Sequence, residues 1–376
     1  MTFYHKSYQK SHHFKERYQK YNQRVSHFTI DGFVYVNKLA DELKKLPIEV
    51  RLKIEALHNH KNRKRIQLKR LGGHTSSNGK GFVIDRNVIV DGTTRRIENW
   101  IKKEKEMPDY IHDFFNVFFE HEKYKNIVKE IENIDKSKKN KCPNIIKMKP
   151  MEHGSLVHKE MQNIVKYALI KSNICKKKLK IPKFFHIDIC TKMCIHSLLN
   201  KNLLPFISEL PMFTSDGCGM ATAIDLICVN LNQNYMFKMI EMKTGNCAKA
   251  IKKTNLTYHG IVYSQASAAS LQLIMTFFLG FQTYGDHFFP LETYKDDFGM
   301  LMNVIYIRSW GSVLLEIPFQ LCNMDAVNDI SKRILFRKEG SLRLTLNENC
   351  NIESSKTVKG KIKKRPIKKF KIGFDS

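Results

Sequence analysis

The stretch GMATAIDLICVNLNQNYMFKMIEMKTG, residues 219–245, holds the residues best suited to chemistry. Ala221 to Val229 is a strand-like, almost wholly apolar run interrupted by one carboxylate, Asp225. Asn230 to Asn234 is mostly polar turn material, and Tyr235 to Lys243 reads as a second strand. Side chains on a strand alternate with period two, so Glu241 and Lys243 share one face. A hairpin about residues 232–233 pairs positions whose numbers sum to about 465, which sets Asp225 opposite residue 240 or 241. Two carboxylates and an ammonium therefore converge on a sheet. An unpaired buried carboxylate costs several kcal/mol, so the cluster needs compensating charge. Lys243 can neutralise one acid, and a divalent cation can hold both. A purely structural acid–lysine pair fits the same three residues.

Two helical segments flank this hairpin. In HGSLVHKEMQNIVKYAL, residues 153–169, Gly154–Ser155 suits a helix start, and His158 shares a stripe with Met161, Val165 and Leu169, which points it inward. An inward histidine is either a ligand or a satisfied core residue. In YSQASAASLQLIMTFF, residues 263–278, Gln265, Ala269, Gln272 and Thr276 form one stripe. Its small residues allow close approach of a backbone or ligand; ordinary helix packing gives the same pattern.

Taken in order, these pieces resemble the PD-(D/E)XK nucleases of the RecB type. The GxxxH-like helix is Gly154–His158, the Asp strand is GMATAID ending at Asp225, the acid-x-Lys strand is Glu241-Met242-Lys243, and the Gln helix carries Gln272. The mitochondrial genome-maintenance exonuclease branch is the most similar, because SELPMF (208–213) precedes the Asp strand as a Glu-bearing strand does there. The likeness spans about residues 150–320. Thr222 stands where the family has glycine three before the Asp, the nearest glycine being Gly219. Thr276, with Phe277 beside it, stands at the family's tyrosine position, and the gap from Asp225 to Glu241 implies a longer hairpin. Only Cys322 and Cys350 follow the core, too few for the iron–sulfur cluster of some members.

The resemblance implies an α/β fold: a restriction-endonuclease-like core with a mixed central sheet flanked by helices. It implies that Asp225, Glu241 and the backbone carbonyl of Met242 bind Mg²⁺ or Mn²⁺, with His158 adding a nitrogen ligand. Lys243 would orient or deprotonate the attacking water and stabilise the scissile phosphate. Gln272 and Gln265 would brace the site or contact DNA, and Ser155 and Thr244 would contact phosphates. The expected activity is a metal-dependent DNA nuclease in replication, repair or recombination, an exonuclease on single-stranded or end-bearing DNA. A lambda-type or alkaline exonuclease on duplex ends is the alternative within the class. A non-catalytic nucleic-acid-binding protein with a degenerate nuclease core is the alternative outside it.

The remaining sequence must position and serve such a site. The 376 residues carry 64 Lys/Arg against 36 Asp/Glu, a net charge of +28, which points to a polyanionic partner. The apolar fraction of 42% excludes a wholly disordered chain. Residues 1–27 hold six Lys/Arg against one acid, and residues 356–371 hold nine against none. These two segments carry half the net charge and read as phosphate-binding arms. The organisation expected is a basic arm (1–27), a mostly helical N-terminal region (28–135), a nuclease core (142–340) and a basic tail (341–376). Leu39, Leu43, Leu46 and then Val50, Ile54, Leu57 suggest two amphipathic helices broken at Pro47. FVIDRNVIVDG reads as a strand or hairpin.

The nine cysteines form no CxxC pair, and Cys190, Cys194 and His196 make only a partial metal-ligand set. No apolar run approaches the ~20 residues that span a bilayer, and the opening residues lack the apolar segment of a secretory signal. The expectation is an intracellular, reducing compartment that holds DNA, the nucleus or a mitochondrion, with no membrane partner.

Overall fold

The computed structural model describes residues 30–70, 81–84, 88–92, 97, 108–113, 150–176, 182–213, 220–244, 257–258, 261–262, 265–285, 302–308 and 311–316, with single residues or pairs between 122 and 133 and at 288, 325, 329–330 and 333. Both basic arms and the Lys136–Lys141 linker lie outside the described residues.

The chain enters through strand β1 (Ile30–Asp31) and helix α1 (Gly32–Lys45). Asp31 caps α1 by accepting from the Phe33 N–H, and Tyr35, Val36, Leu39, Ala40 and Leu43 form its buried stripe. Leu46, forced out of the helical region by the following Pro47, ends it in an extended conformation (φ −62°, ψ 145°). Helix α2 (Ile48–Gln67) follows, burying Ile54 and Leu57, so the break at Pro47 lies where the sequence sets it.

The sheet is mixed, and helices cover both faces. β6 (Leu203–Phe213) pairs antiparallel with β7 (Met220–Asn230), which pairs antiparallel with β8 (Met236–Lys243). β8 pairs in parallel with β9 (Met302–Arg308), reached through helix α5 (Gln265–Tyr284), and β10 (Gly311–Glu316) closes that edge antiparallel to β9. A parallel pair needs such a crossover. Strands β2 (Leu68–Arg70), β3 (Gly81–Ile84) and β4 (Val88–Gly92) form a meander that joins the sheet where Asp91 and Gly92 pair with Met220 and Ala221. β6 thus holds one edge of β7 along its length. The other edge is divided: β4 takes Met220–Ala221 and β8 takes Leu226–Asn230. Asp225 sits in the fork between them.

Helix α3 (Pro150–Lys171) packs on α1 and β6. It begins four residues before the Gly154–Ser155 start expected from sequence, because proline is preorganised for the first helical position. Helix α4 (Ile189–Asn200) follows β5 (His186–Ile187), the partner of β1. The Cys194 Sγ on α4 lies 3.9 Å from the Met242 Sδ, while Gln272 on α5 reaches Glu241. Met242 and Glu241 are strand neighbours, so α4 and α5 cover opposite faces. At Gly280 of α5 an added Cβ would come within 2.8 Å of the Met239 side chain, so glycine permits that close packing.

Among the described residues Cys175, Cys190, Cys194 and Cys228 are buried and in no disulfide. Cys194 faces the core, and His196 turns to the Tyr35 hydroxyl at 3.3 Å, so these two do not gather with Cys190. Among the described residues no helix is long and apolar enough to cross a membrane.

Candidate metal centre

Three acids stand in one row across three adjacent strands. Ser208 pairs with Leu226 and Leu210 with Ile224, which puts Glu209 opposite Asp225. Leu226 pairs with Ile240 in a register that continues to Asp225 opposite Glu241. The pairing that the turn arithmetic predicts is thus within one position of the one observed. At Asp225 the β7–β8 ladder stops, and the aspartate side chain replaces it by accepting from the Met242 N–H at 2.7 Å.

Helix α3 brings His158 to the row. Its Nδ1 lies 3.1 Å from an Asp225 oxygen and 3.8 Å from a Glu209 oxygen. The three ligand atoms of His158, Glu209 and Asp225 lie within 4.8 Å of one another. Glu241, one strand further on, gives its Oε1 to Lys243 Nζ at 2.7 Å and to Gln272 Nε2 at 3.1 Å. Gln272 is held by its helix, where the Thr276 hydroxyl donates to the Gln272 carbonyl at 2.7 Å.

Burial and mutual charge set the protonation of this group. Burial alone would lower the His158 pKa, but the charge and hydrogen bond of Asp225, then those of Glu209, raise it to about 10. Burial would raise Asp225, yet His158, Lys243 and the Met242 N–H hold it below the ordinary carboxylate value. Glu241 is raised, first by burial and then by the charge of Asp225, with Lys243 opposing. Burial would lower Lys243, but Glu241 and Asp225 raise it, so it stands as an ammonium. One proton on imidazole and one on lysine therefore offset two of the three acid charges.

The donor set also fits a hard divalent cation. Oxygen ligands at ~2.0–2.1 Å from Mg²⁺ permit ligand atoms up to ~4.2 Å apart, and both His158 separations fall inside that limit. His158 must give up its proton before Nδ1 can serve as a ligand. The two carboxylates suit Mg²⁺ or Mn²⁺, whereas the imidazole nitrogen is a ligand more usual for iron or zinc.

The other sequence-derived residues fall around this centre. Met242 has a buried side chain and a backbone N–H engaged by Asp225. An added Cβ on Gly154 would come within 2.8 Å of the Thr244 Oγ1, so this glycine lets α3 approach the end of β8. Ser155 lies on the exposed side of α3. Gln265 opens α5, and its side chain lies outside the described residues.

Glu209 is the residue that the sequence reading did not assign. Every described neighbour along β6 is buried and Glu209 alone is half-buried. Its φ of 51° is left-handed, an arrangement that costs a non-glycine residue about 1–2 kcal/mol. The sequence carries a signal for it: strands turning about Gly217 pair position 209 with 225.

A second group, His153, Asp188 and Cys190, lies at the start of α4. Here Asp188 is the N-cap, accepting from the Cys190 N–H at 2.7 Å and pairing with His153 Nε2 at 3.2 Å. Burial keeps the Cys190 thiol protonated. This group works as a helix cap. The chain matches no family model, no curated protein and no solved structure.

Proposed function

We propose that the chain is a metal-dependent deoxyribonuclease of the PD-(D/E)XK class, of the RecB type, acting as an exonuclease on single-stranded or end-bearing DNA. The observation that carries this reading is the row Glu209–Asp225–Glu241, with His158 above it and Lys243 beside it. Supporting it is the element order: a His helix, an acid strand, the Asp strand, the Glu-x-Lys strand, a Gln helix and a further strand. The net charge of +28 suits a phosphodiester substrate.

His158, Glu209 and Asp225 would hold the cation, with Glu241 completing the acid row. When bound, Mg²⁺ or Mn²⁺ lowers the pKa of a coordinated water and offsets charge on the phosphate. Asp225 is fixed for this by its bond to the Met242 backbone, so the ligand is set before substrate arrives. Lys243, charged and hydrogen-bonded to Glu241, donates rather than accepts: it orients the attacking water and stabilises negative charge on the scissile phosphate. Gln272 holds Glu241 in its rotamer by donating to the same Oε1.

The test is cleavage of linear and circular, single- and double-stranded DNA with Mg²⁺, Mn²⁺ or EDTA. Cation-dependent loss of linear substrate with circles spared is the expected result. DNA binding without cleavage under every cation condition would overturn the reading in favour of a non-catalytic DNA-binding protein.

A further inference from the structure

We infer that the cavity between α2, α3 and β6 is a phosphate pocket, holding a phosphate group of the bound strand one or two nucleotides from the acid row. The cavity measures about 200 Å³, room for several waters at ~30 Å³ each. Lys61, Lys159 and Lys166 line it, with the side-chain amides of Asn62, Gln162 and Asn163. No Asp or Glu is among its lining residues, so three lysines and three amide-bearing residues line a space without a protein carboxylate in its wall, with Lys159 donating to the Gln162 Oε1 at 2.7 Å. Lys61 is itself buried, its ammonium donating to the Ser208 carbonyl on the cavity wall. Phosphate, with charge and several acceptor oxygens, is the group such donors recognise.

The location ties the pocket to the acids. Ser208 in its wall precedes Glu209, and Gln162 lies one helical turn from His158 on the same face of α3. One turn is ~5.4 Å along the axis, against ~3.4 Å of duplex axis per nucleotide of one strand. A strand passing the acid row therefore brings a neighbouring phosphate to the pocket. The identity of the anion as a nucleic-acid phosphate rests on the nuclease reading; the pocket itself does not.

The experiment uses the full chain in EDTA with labelled single-stranded oligonucleotides that end in a 5′-phosphate, a 3′-phosphate or hydroxyls only. A further set carries neutral methylphosphonates at the linkages nearest either end. The variant is Lys159→Gln with Lys166→Gln, two exposed residues of α3. The control, Lys44→Gln with Lys45→Gln, removes the same charge from exposed sites on α1. The pocket variant should bind at least tenfold more weakly than the control, as expected for the loss of charge-assisted hydrogen bonds. Loss confined to one phosphate-ended oligonucleotide identifies a terminal phosphate as the ligand. Loss on all ends, reproduced in the wild type by methylphosphonates, identifies an internal one. Equal weakening in variant and control overturns the pocket, even if wild-type protein cleaves DNA. Selective weakening together with no cleavage in Mg²⁺ or Mn²⁺ overturns the nuclease reading and leaves the pocket standing.

Discussion

Asp225 accepts the backbone N–H of Met242 at 2.7 Å, so the carboxylate at the middle of the acid row also terminates the β7–β8 ladder. The same side chain closes the sheet at its fork and ion-pairs with His158. Structure and candidate chemistry therefore meet on one residue, and substitutions must separate them.

Asp225→Asn keeps an acceptor for Met242 but removes the charge. The expected outcome is a folded protein that binds DNA and does not cleave it, because the phosphate contacts elsewhere persist. Glu241→Gln should behave alike. Single-turnover cleavage beside filter binding checks both, and full cleavage by either variant in saturating Mg²⁺ removes that acid from the centre.

Glu209→Gln tests the acid that the sequence reading left unassigned. Loss of one of three converging ligands should weaken Mn²⁺ binding by tenfold or more, measured by calorimetry, with the melting temperature in EDTA nearly unchanged. Unchanged Mn²⁺ affinity would show that Glu209 serves only to hold His158.

Why one acid was legible and another was not follows from how each is specified. Asp225 and Glu241 are joined by a short hairpin, where turn centre and period two fix the register locally. The break between α1 and α2 is equally local, a property of Pro47. Glu209 was within reach of the same arithmetic through a turn about Gly217, but an apolar strand with one acid draws less notice than an acid-x-Lys pair. The rest needed tertiary contacts. Nothing local tells that β4 pairs in parallel with β7 some 130 residues later, or that His196 turns to Tyr35 and away from Cys190. The pocket residues belong to three elements distant in sequence, and lysines on a helix read there as a solvated face.

Glu160 gives a pH test away from the acid row. It is buried and accepts from the Asp188 N–H at 2.7 Å and the Thr191 hydroxyl at 2.6 Å, and burial raises its pKa to about 8. A carboxyl with a raised folded pKa binds more protons folded than unfolded, so stability falls as pH rises from about 4.5 to about 8. At ~1.36 kcal/mol per unit the loss is a few kcal/mol. Glu160→Gln mimics the neutral acid and should remove this component. Melting temperatures of both proteins in EDTA from pH 5 to 8 check it: the two curves should diverge towards pH 8, with the variant higher. Parallel curves would show Glu160 ionised throughout.

Residues 356–376, nine Lys/Arg in their first sixteen positions, test the part that charge plays in the proposed DNA binding. Deleting them should weaken DNA binding and flatten its dependence on log salt, since fewer counterions are released. Cleavage at saturating DNA should change little. An unaltered salt slope assigns this basic run to solvation or targeting.

Lys243 separates a catalytic from a structural ion pair. It lies 2.7 Å from the Glu241 Oε1 and is about one-third exposed, so its ammonium both neutralises that acid and faces the space beside the row. If neutralisation is its whole role, Lys243→Met drives Glu241 to take up a proton, and added Mg²⁺ restores both stability and cleavage by replacing the lost charge. If Lys243 orients the attacking water, the cation restores the fold alone. Cleavage then stays slower by roughly 10²–10⁴-fold, the range for a positioned proton-transfer group. The second outcome is expected, because Gln272 also donates to the Glu241 Oε1 and the lysine is not needed to fix its rotamer. Thermal melts with and without Mg²⁺, beside single-turnover rates at saturating DNA, read the two effects independently. A folded, Mg²⁺-loaded Lys243→Met protein that cleaves at near the wild-type rate would take Lys243 out of the mechanism and leave it as the counter-ion of Glu241.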